Sequence, residues 1–232
     1  MMLFKWEIDC PHVPALPQQG RRRRRLYGFT DEGKEDYAMT EKEKMEKGYL
    51  YQPQGELSAF RETVQDKIVE YNKLLPSQFQ ERAAFLAKIL GKVGKNVNAL
   101  PPFRCDYGYN VEIGDNFFSN YNCIILDGNK VRIGDNVMLA PNVGIYAAGH
   151  PFDVEQRNAG LEYAFPVTIG NNVWIGGNTV IIGGVTIGDN TVIGAGSVVI
   201  RDIPANVLAA GNPCKVIREL TEKDREKYVL VD

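Results

Sequence analysis

The sequence predicts a mainly β solenoid of short parallel strands, preceded by a helical segment, and three observations support this fold class. Aliphatic residues recur at intervals of six from Ile169 to Val199, and glycine directly follows several of them. Of the 23 glycines, 18 lie between Gly91 and Gly211, so the chain changes character near residue 92. A period this short is typical of a solenoid in which each hexad supplies one strand and three strands complete a triangular coil.

The six-residue period also extends towards the N-terminus. Ile133, Leu139 and Ile145 keep the same step, and each follows a valine by two positions. Residues 167–200 contain a single charged residue, Asp189. An ordinary buried parallel sheet is the alternative for this stretch, but six consecutive registers at one spacing favour the solenoid.

Two interruptions break the period. Residues 127–130 add two positions between registers, and residues 149–166 replace the expected hexads with a longer polar stretch. A solenoid accommodates an insertion only as a loop that leaves the coil, and loops on rigid scaffolds often carry function. This loop contains His150, which is one of only two histidines in the chain; the other is His12.

Residues 39–92 are predicted to be helical. Capping boxes are expected at two places, Thr40 with Glu43 and Ser77 with Gln80. Gly48 is expected to end the first helix, Pro76 the second and Gly91 the third. The second and third helices carry apolar stripes at helical spacing, formed by Leu57, Phe60, Val64, Ile68, Tyr71 and Leu75, and by Phe79, Ala83, Leu86 and Leu90. Helices this short bury little alone, so we expect them to lie on the solenoid.

The remaining segments are the two ends of the chain. Residues 1–38 are predicted to be a poorly ordered leader, because three prolines and the arginine block at 21–25 disfavour a helix. A nuclear signal or an anionic-surface patch is the functional alternative for that block. The solenoid is expected over 93–216, and 217–232 is expected to form a C-terminal helix or tail.

Composition excludes several classes of protein. Lysine and arginine number 27 against 29 acidic residues, a net charge of −2 that argues against nucleic-acid binding. No apolar run approaches the roughly 20 residues of a membrane helix, and no apolar secretory signal is present. The four cysteines, Cys10, Cys105, Cys123 and Cys214, form no C-x-x-C pair. We therefore expect a cytoplasmic protein with reduced thiols and no metal site.

The repeats resemble those of a known family. They are Val-Glu-Ile-Gly-Asp-Asn (111–116), Val-Arg-Ile-Gly-Asp-Asn (131–136) and Val-Thr-Ile-Gly-Asn-Asn-Val-Trp-Ile-Gly (167–176). Together with Gly-His-Pro (149–151) and Ala-Ala-Gly-Asn-Pro-Cys-Lys-Val-Ile-Arg (209–218), they resemble the hexapeptide-repeat acyltransferases. Within that family the sequence is similar to the maltose and galactoside O-acetyltransferase branch, over some 180 residues from Met39 to Leu220.

The resemblance implies a left-handed parallel β-helix that forms homotrimers. It also implies acetyl-coenzyme A as a co-substrate, bound in the groove between neighbouring coils, with no tightly bound cofactor. His150 matches the catalytic histidine of the family, which removes a proton from the attacking alcohol. Asn120 matches an asparagine at the acetyl and acceptor site, where its amide N–H would stabilise the oxyanion.

The resemblance assigns seven residues to the coenzyme, namely Trp174, Gly177, Ala195, Ile200, Arg201, Lys215 and Arg218. Gly177 and Ala195 are small, so a pantetheine arm can approach the backbone, and Lys215 and Arg218 are cations suited to phosphates. Gly177 and Lys215 stand where some relatives have serine and arginine.

The resemblance assigns five residues besides Asn120 to the acceptor, namely Arg61, Phe118, Asp127, Met138 and Glu162. Glu162 has two alternative roles, to orient His150 or to contact the acceptor. The match is weaker here than at the coenzyme site. No acidic residue directly follows Tyr-Leu-Tyr (49–51), and Phe118 stands where a sugar-binding tyrosine can occur.

Other functions on the same coil make different demands. Hexapeptide-type carbonic anhydrases bind zinc through three histidines, which this chain does not contain. A non-catalytic solenoid would not need the loop that carries His150. An acetyltransferase for an amine or an antibiotic remains the alternative to a sugar O-acetyltransferase. We expect direct transfer without an acetyl-enzyme, since Cys105, Cys123 and Cys214 all lie outside the loop and have no second histidine to activate them.

Overall fold

Short strands stack in three sheets, and the chain visits the three sheets in the same order on each turn of the coil. All pairs within these sheets are parallel except the last pair of one sheet. The computed structural model describes residues 39–226, so the predictions for 1–38 and for 227–232 lie outside the described residues. The parallel β-solenoid predicted from the six-residue period is confirmed.

We call the three sheets face 1, face 2 and face 3. Face 1 consists of β1 (Lys92–Val93), β4 (Val111–Ile113), β7 (Val131–Ile133), β12 (Val167–Ile169) and β15 (Thr186–Ile187). Face 2 consists of β2 (Asn98–Ala99), β5 (Phe118–Ser119), β8 (Met138–Leu139), β13 (Trp174–Ile175), β16 (Val192–Ile193), β18 (Val207–Ala210) and the antiparallel β19 (Lys215–Glu219). Face 3 consists of β3 (Phe103–Cys105), β6 (Cys123–Leu126), β9 (Gly144–Tyr146), β14 (Val180–Ile182) and β17 (Val198–Val199).

Asparagine side chains line the corner between face 1 and face 2. Each of these residues has a positive φ of 55–57°, or 61° for the last, which asparagine tolerates better than most residues. Each amide Nδ2 donates to the Oδ1 of the asparagine on the next coil at 2.9–3.0 Å. This ladder consists of Asn96, Asn116, Asn136, Asn172, Asn190 and Asn206. It explains why asparagine closes so many of the hexads.

The ladder also measures the length of each coil. Successive partners are 20, 20, 36, 18 and 16 residues apart. Every departure from 18 falls at the corner that leads from face 3 to face 1, which we call the 3–1 corner. The predicted additions at 127–130 and 149–166 lie there. So does an addition at 106–109 that the sequence analysis missed.

Three helices cover the N-terminal end of the coil, namely α1 (Glu41–Glu46), α2 (Glu56–Tyr71) and α3 (Phe79–Leu86). Val64, Ile68 and Tyr71 of α2 and Leu86 of α3 are buried in the same apolar cluster as the coil interior. The expected packing of the helices on the solenoid is therefore confirmed.

Some helix predictions were wrong. α2 ends at Tyr71, and its C-cap residue Asn72 exchanges two side-chain hydrogen bonds with the backbone of Phe103, at 2.9 and 2.8 Å. Leu75 is consequently 61% exposed. The N-cap of α3 is Gln78 rather than Ser77, and its side chain makes no capping hydrogen bond.

The C-terminal part also differs from expectation. Residues 217–219, predicted as the start of a helix or tail, complete β19, which pairs antiparallel with β18. A short helix, α5 (Lys223–Glu226), follows. Within residues 39–226, no helix is long and apolar enough to cross a membrane.

Candidate active site

The loop at the 3–1 corner is braced by its own side chains. Its base is an antiparallel pair, β10 (Ala148–Gly149) and β11 (Tyr163–Ala164), and its tip carries α4 (Val154–Asn158). Asp153 caps this helix by accepting the backbone N–H of Gln156 at 2.9 Å. Arg157 donates to the carbonyls of Pro151 and Phe152 at 3.1 and 2.9 Å, which fixes the chain just after His150.

His150 is exposed, and its ring is oriented by a backbone carbonyl. Its Nδ1 lies 3.0 Å from the carbonyl oxygen of Leu161. Because a carbonyl only accepts, this hydrogen bond places the proton on Nδ1 of the neutral ring. Nε2 then has a free lone pair, which is the form a general base requires.

Glu162 is held by Tyr51 and makes no direct hydrogen bond to His150 among the described residues. The Tyr51 hydroxyl donates to Oε2 of Glu162 at 2.7 Å, and the two residues pair through their backbones at 3.0 Å. Glu162 therefore does not hydrogen-bond the His150 ring, whose Nδ1 partner is Leu161. Burial, and then the charge of Glu162, raise the pKa of Tyr51 above its usual range.

Asp127 does not face an acceptor as expected, because it is fully buried. Its Oδ1 accepts the backbone N–H groups of Asp106 and Tyr107, each at 2.9 Å. Its Oδ2 has no partner among the described residues. Burial raises the pKa of this carboxyl to about 6. Asp127 thus supports the 3–1 corner from inside.

Asp106, whose backbone N–H donates to Asp127, is more accessible than Asp127 itself. Asp106 is partly buried, and burial raises its pKa while the nearby Arg61 of α2 lowers it. Arg61 also acts electrostatically on Tyr51 and Tyr107, as Glu162 does. Arg61, Asp106 and Glu162 therefore form a charged cluster beside the loop that carries His150.

A second group of predicted residues lies on face 2. Phe118, Met138 and Trp174 pair in register on successive strands and point outwards, and Met138 and Trp174 are half exposed. Asn120 directly follows β5 at the corner between face 2 and face 3. Its Oδ1 accepts the backbone N–H of Tyr121 at 2.8 Å, and its Nδ2 has no partner among the described residues. That amide group is therefore available as a donor.

The predicted coenzyme residues divide between the two regions. Gly177 and Ala195 lie at the same corner as Asn120 on adjacent coils, where Gly196 donates to the carbonyl of Gly177 at 2.8 Å. Lys215 and Arg218 are exposed on β19 of face 2. The Arg218 guanidinium forms an ion pair with Asp224 at 2.5 Å. Ile200 and Arg201 follow β17 and lie at the 3–1 corner.

The predicted site residues of one chain therefore form two groups at different corners of the coil. The 3–1 corner carries His150, Glu162, Ile200 and Arg201, with Arg61 beside it. Face 2 and its following corner carry Phe118, Asn120, Met138, Trp174, Gly177, Ala195, Lys215 and Arg218. Neither group alone contains the predicted base, the predicted oxyanion donor and the predicted cations of β19.

Sequence reasoning missed three groups at the 3–1 corner: the Leu161 carbonyl, Asp106 and Tyr51. A backbone carbonyl has no sequence signal of its own. Asp106 does have a sequence signal, because the segment 106–109 is lengthened by two residues in the same way as the predicted addition at 127–130.

Two segments of the chain match known protein families. Residues 166–201 match the bacterial transferase hexapeptide (six repeats), and residues 44–94 match the maltose acetyltransferase hexapeptide capping motif. A putative acetyltransferase of Saccharomyces cerevisiae is 58% identical over 169 residues, which are 73% of this chain and 86% of that protein. The galactoside O-acetyltransferase of Escherichia coli is 46% identical over 159 residues, which are 68% of this chain and 78% of that protein.

Solved structures agree with these matches. A maltose O-acetyltransferase from Clostridium difficile superposes with a TM-score of 0.77 at 54% identity, covering 80% of this chain and all (100%) of that one. A galactoside acetyltransferase in complex with coenzyme A superposes with a TM-score of 0.78 at 44% identity, covering 84% and 98%.

Proposed function

Because the chain belongs to the maltose and galactoside O-acetyltransferase branch of the hexapeptide-repeat acyltransferases, and is thus an acetyltransferase, we propose a specific reaction. The acetyl group moves from acetyl-coenzyme A to a hydroxyl of a sugar or glycoside, with His150 as general base. One observation carries the proposal: the hydrogen bond from Nδ1 of His150 to Leu161, which leaves Nε2 basic.

In this reaction Nε2 of His150 takes the proton of the acceptor hydroxyl as its oxygen attacks the thioester carbonyl. The Nδ2 group of Asn120 donates to the oxyanion that forms. Collapse expels the coenzyme thiolate, which recovers the proton from His150. Lys215 and Arg218 bind the coenzyme phosphates, and Gly177 and Ala195 let the pantetheine arm lie against the coil.

Transfer is direct, with both substrates bound together. Cys105, Cys123 and Cys214 are buried free thiols. Burial raises the pKa of Cys123, the one nearest Asn120 in sequence, to about 11, which disfavours a nucleophilic thiolate. The same free thiols support a reduced, cytoplasmic location.

The working enzyme is a homotrimer whose sites form between neighbouring chains. The two groups of predicted site residues support this, since a cyclic assembly can bring the 3–1 corner of one chain to face 2 of the next. The outward row of Phe118, Met138 and Trp174 supports the arrangement, because exposed apolar rows mark contact surfaces. Face 1, in contrast, carries an outward ion pair between Glu112 and Arg132 at 3.6 Å.

Thioester turnover against a panel of acceptors tests the reaction. The panel contains maltose, a galactoside, glucosamine and a simple amine, with hydrolysis in water as the baseline. We expect acetyl ester formation on sugar hydroxyls at a rate well above hydrolysis. Turnover confined to amines, with amide products, would replace the sugar acceptor by a nitrogen acceptor.

Mixed trimers test the shared site. His150→Ala and Asn120→Ala chains are each expected to be inactive alone. If one chain supplies His150 and its neighbour Asn120, random co-assembly in equal amounts restores about a quarter of the sites. No recovery in mixed trimers of confirmed composition would place both residues in the same chain's site.

A further inference from the structure

Tyr51 links the helical segment to the loop that carries His150. It is fully buried, and its hydroxyl donates to Oε2 of Glu162 at 2.7 Å across 111 residues of sequence. Its backbone N–H and carbonyl both pair with Glu162 at 3.0 Å. The next residue, Gln52, donates through Nε2 to the carbonyl of Ala159 at 2.9 Å. Residues 51 and 52 therefore hold both ends of the segment 159–162.

Leu161 lies inside that held segment. Its carbonyl is the group that accepts from Nδ1 of His150. A shift or rotation of this carbonyl would release the ring and let the proton occupy either nitrogen. The tautomer of His150 therefore depends on how firmly residues 159–162 are fixed.

The Tyr51 hydroxyl has space because residue 128 is a glycine. A Cβ placed on Gly128 would lie 3.2 Å from the Tyr51 oxygen, and 3.0 and 3.1 Å from the Cβ atoms of Ala148 and Ala164. These distances are tighter than ordinary contacts. The glycine at the 3–1 corner lets Tyr51 reach the base of the loop, between β10, β11 and the coil.

We propose that Tyr51 is a positioning residue for catalysis, which fixes the tautomer and orientation of His150 through Glu162 and the Leu161 carbonyl. The inference rests on the proposed function, in which His150 is the base. It assigns the helical segment a part in the reaction besides covering the end of the coil.

The test is Tyr51→Phe, which removes only the hydroxyl. Ring ¹⁵N spectra report the tautomer of His150, and the second signal is assigned by a His12→Gln change. We expect the neutral ring of wild type to carry its proton on Nδ1, and that of Tyr51→Phe to show a mixed population. We also expect kcat to fall about tenfold while KM for acetyl-coenzyme A stays the same. Tyr49→Phe, at a half-exposed position, is the matched control and should change neither.

Glu162→Ala provides the second variant. It removes the acceptor of the Tyr51 hydroxyl and should produce the same mixed tautomer, and Tyr51→Phe added to it should have no further effect on the spectrum. If Tyr51→Phe does not fold to the wild-type oligomer, the spectrum of Glu162→Ala alone tests the inference. An unchanged tautomer in both variants would overturn the inference. The spectra need no acceptor, so absence of acetyl transfer in wild type would refute the proposed function separately.

Discussion

Among single residues, His150 is the one whose loss should affect catalysis most. We expect His150→Ala to lower kcat by roughly 10²–10⁴, because general-base assistance is lost, while coenzyme affinity stays nearly constant. Steady-state kinetics and calorimetric coenzyme titration measure the two quantities. His12→Ala, in the leader, is the control. A His150→Ala enzyme with wild-type kcat would eliminate the general base from the mechanism.

Asp127 makes a pH-dependent prediction about stability. Its native pKa of about 6 lies above its ordinary 3.8, so the folded protein binds the proton more tightly than the unfolded chain. The resulting stabilisation is present below pH 3.8 and is lost as the pH rises through 6. The loss is about 3 kcal/mol for a shift of this size.

Asparagine keeps the Oδ1 acceptor of Asp127 without a charge. Asp127→Asn should therefore be more stable than wild type at pH 8, and the difference should shrink towards pH 4. Urea unfolding at several pH values, at one protein concentration, measures this. The exposed Asp66→Asn is the control. A pH-independent difference would show that ionisation of Asp127 is not the cause.

For single residues, the sequence predicted the chemical type of a side chain better than its burial and its neighbours. His150 was predicted to be the base because its motif is specific and histidines are scarce. Asp127 was assigned to the acceptor from the family resemblance, which does not reveal that its side chain is buried and accepts the Asp106 and Tyr107 N–H groups. The split of the site residues between two corners was also invisible, since it depends on which coil face each one occupies.

Among structural elements, the asparagine ladder is expected to contribute measurably to stability. Asn136 has a φ of 55° and hydrogen-bonds Asn116 and Asn172, both at 3.0 Å. Asn136→Ala should cost about 2 kcal/mol, from the left-handed backbone and the lost hydrogen bonds. Asn136→Gly adopts this φ freely and should cost less. Equal losses in urea unfolding would rule out the backbone conformation as the deciding factor.

The strands were easier to predict than the helix ends. A period of six sets the inward position of each strand, so Ile133, Ile169 and Ile187 appear in register on face 1 as expected. Helix ends depend on tertiary partners. α2 ends before Pro76, where Asn72 makes two hydrogen bonds with the backbone of Phe103, and no local pattern predicts this contact. The handedness of the coil came only from the family resemblance, because the period is the same for either hand.

For the whole molecule, the apolar row on face 2 leads us to expect an assembly. Analytical ultracentrifugation should give three times the chain mass of 25.9 kDa. A chain lacking residues 1–38 should still sediment as a trimer of the shortened chain and retain activity within about twofold, since the predicted leader lacks both periodicities. Full activity in a monomeric fraction would contradict the shared site. A large loss of activity on truncation would give the arginine block a role.

The unequal coil lengths have a consequence for how such enzymes can diversify. Within the described part of the chain, all the length variation between coils lies at the 3–1 corner. The other two corners have the same length in every coil. The 3–1 corner can gain or lose residues without shifting the register of any sheet, because each strand re-enters face 1 at the same place. New acceptor preferences are therefore open to engineering by exchange of the loop 149–166 at that corner, with face 2 and residues 200–201 left unchanged.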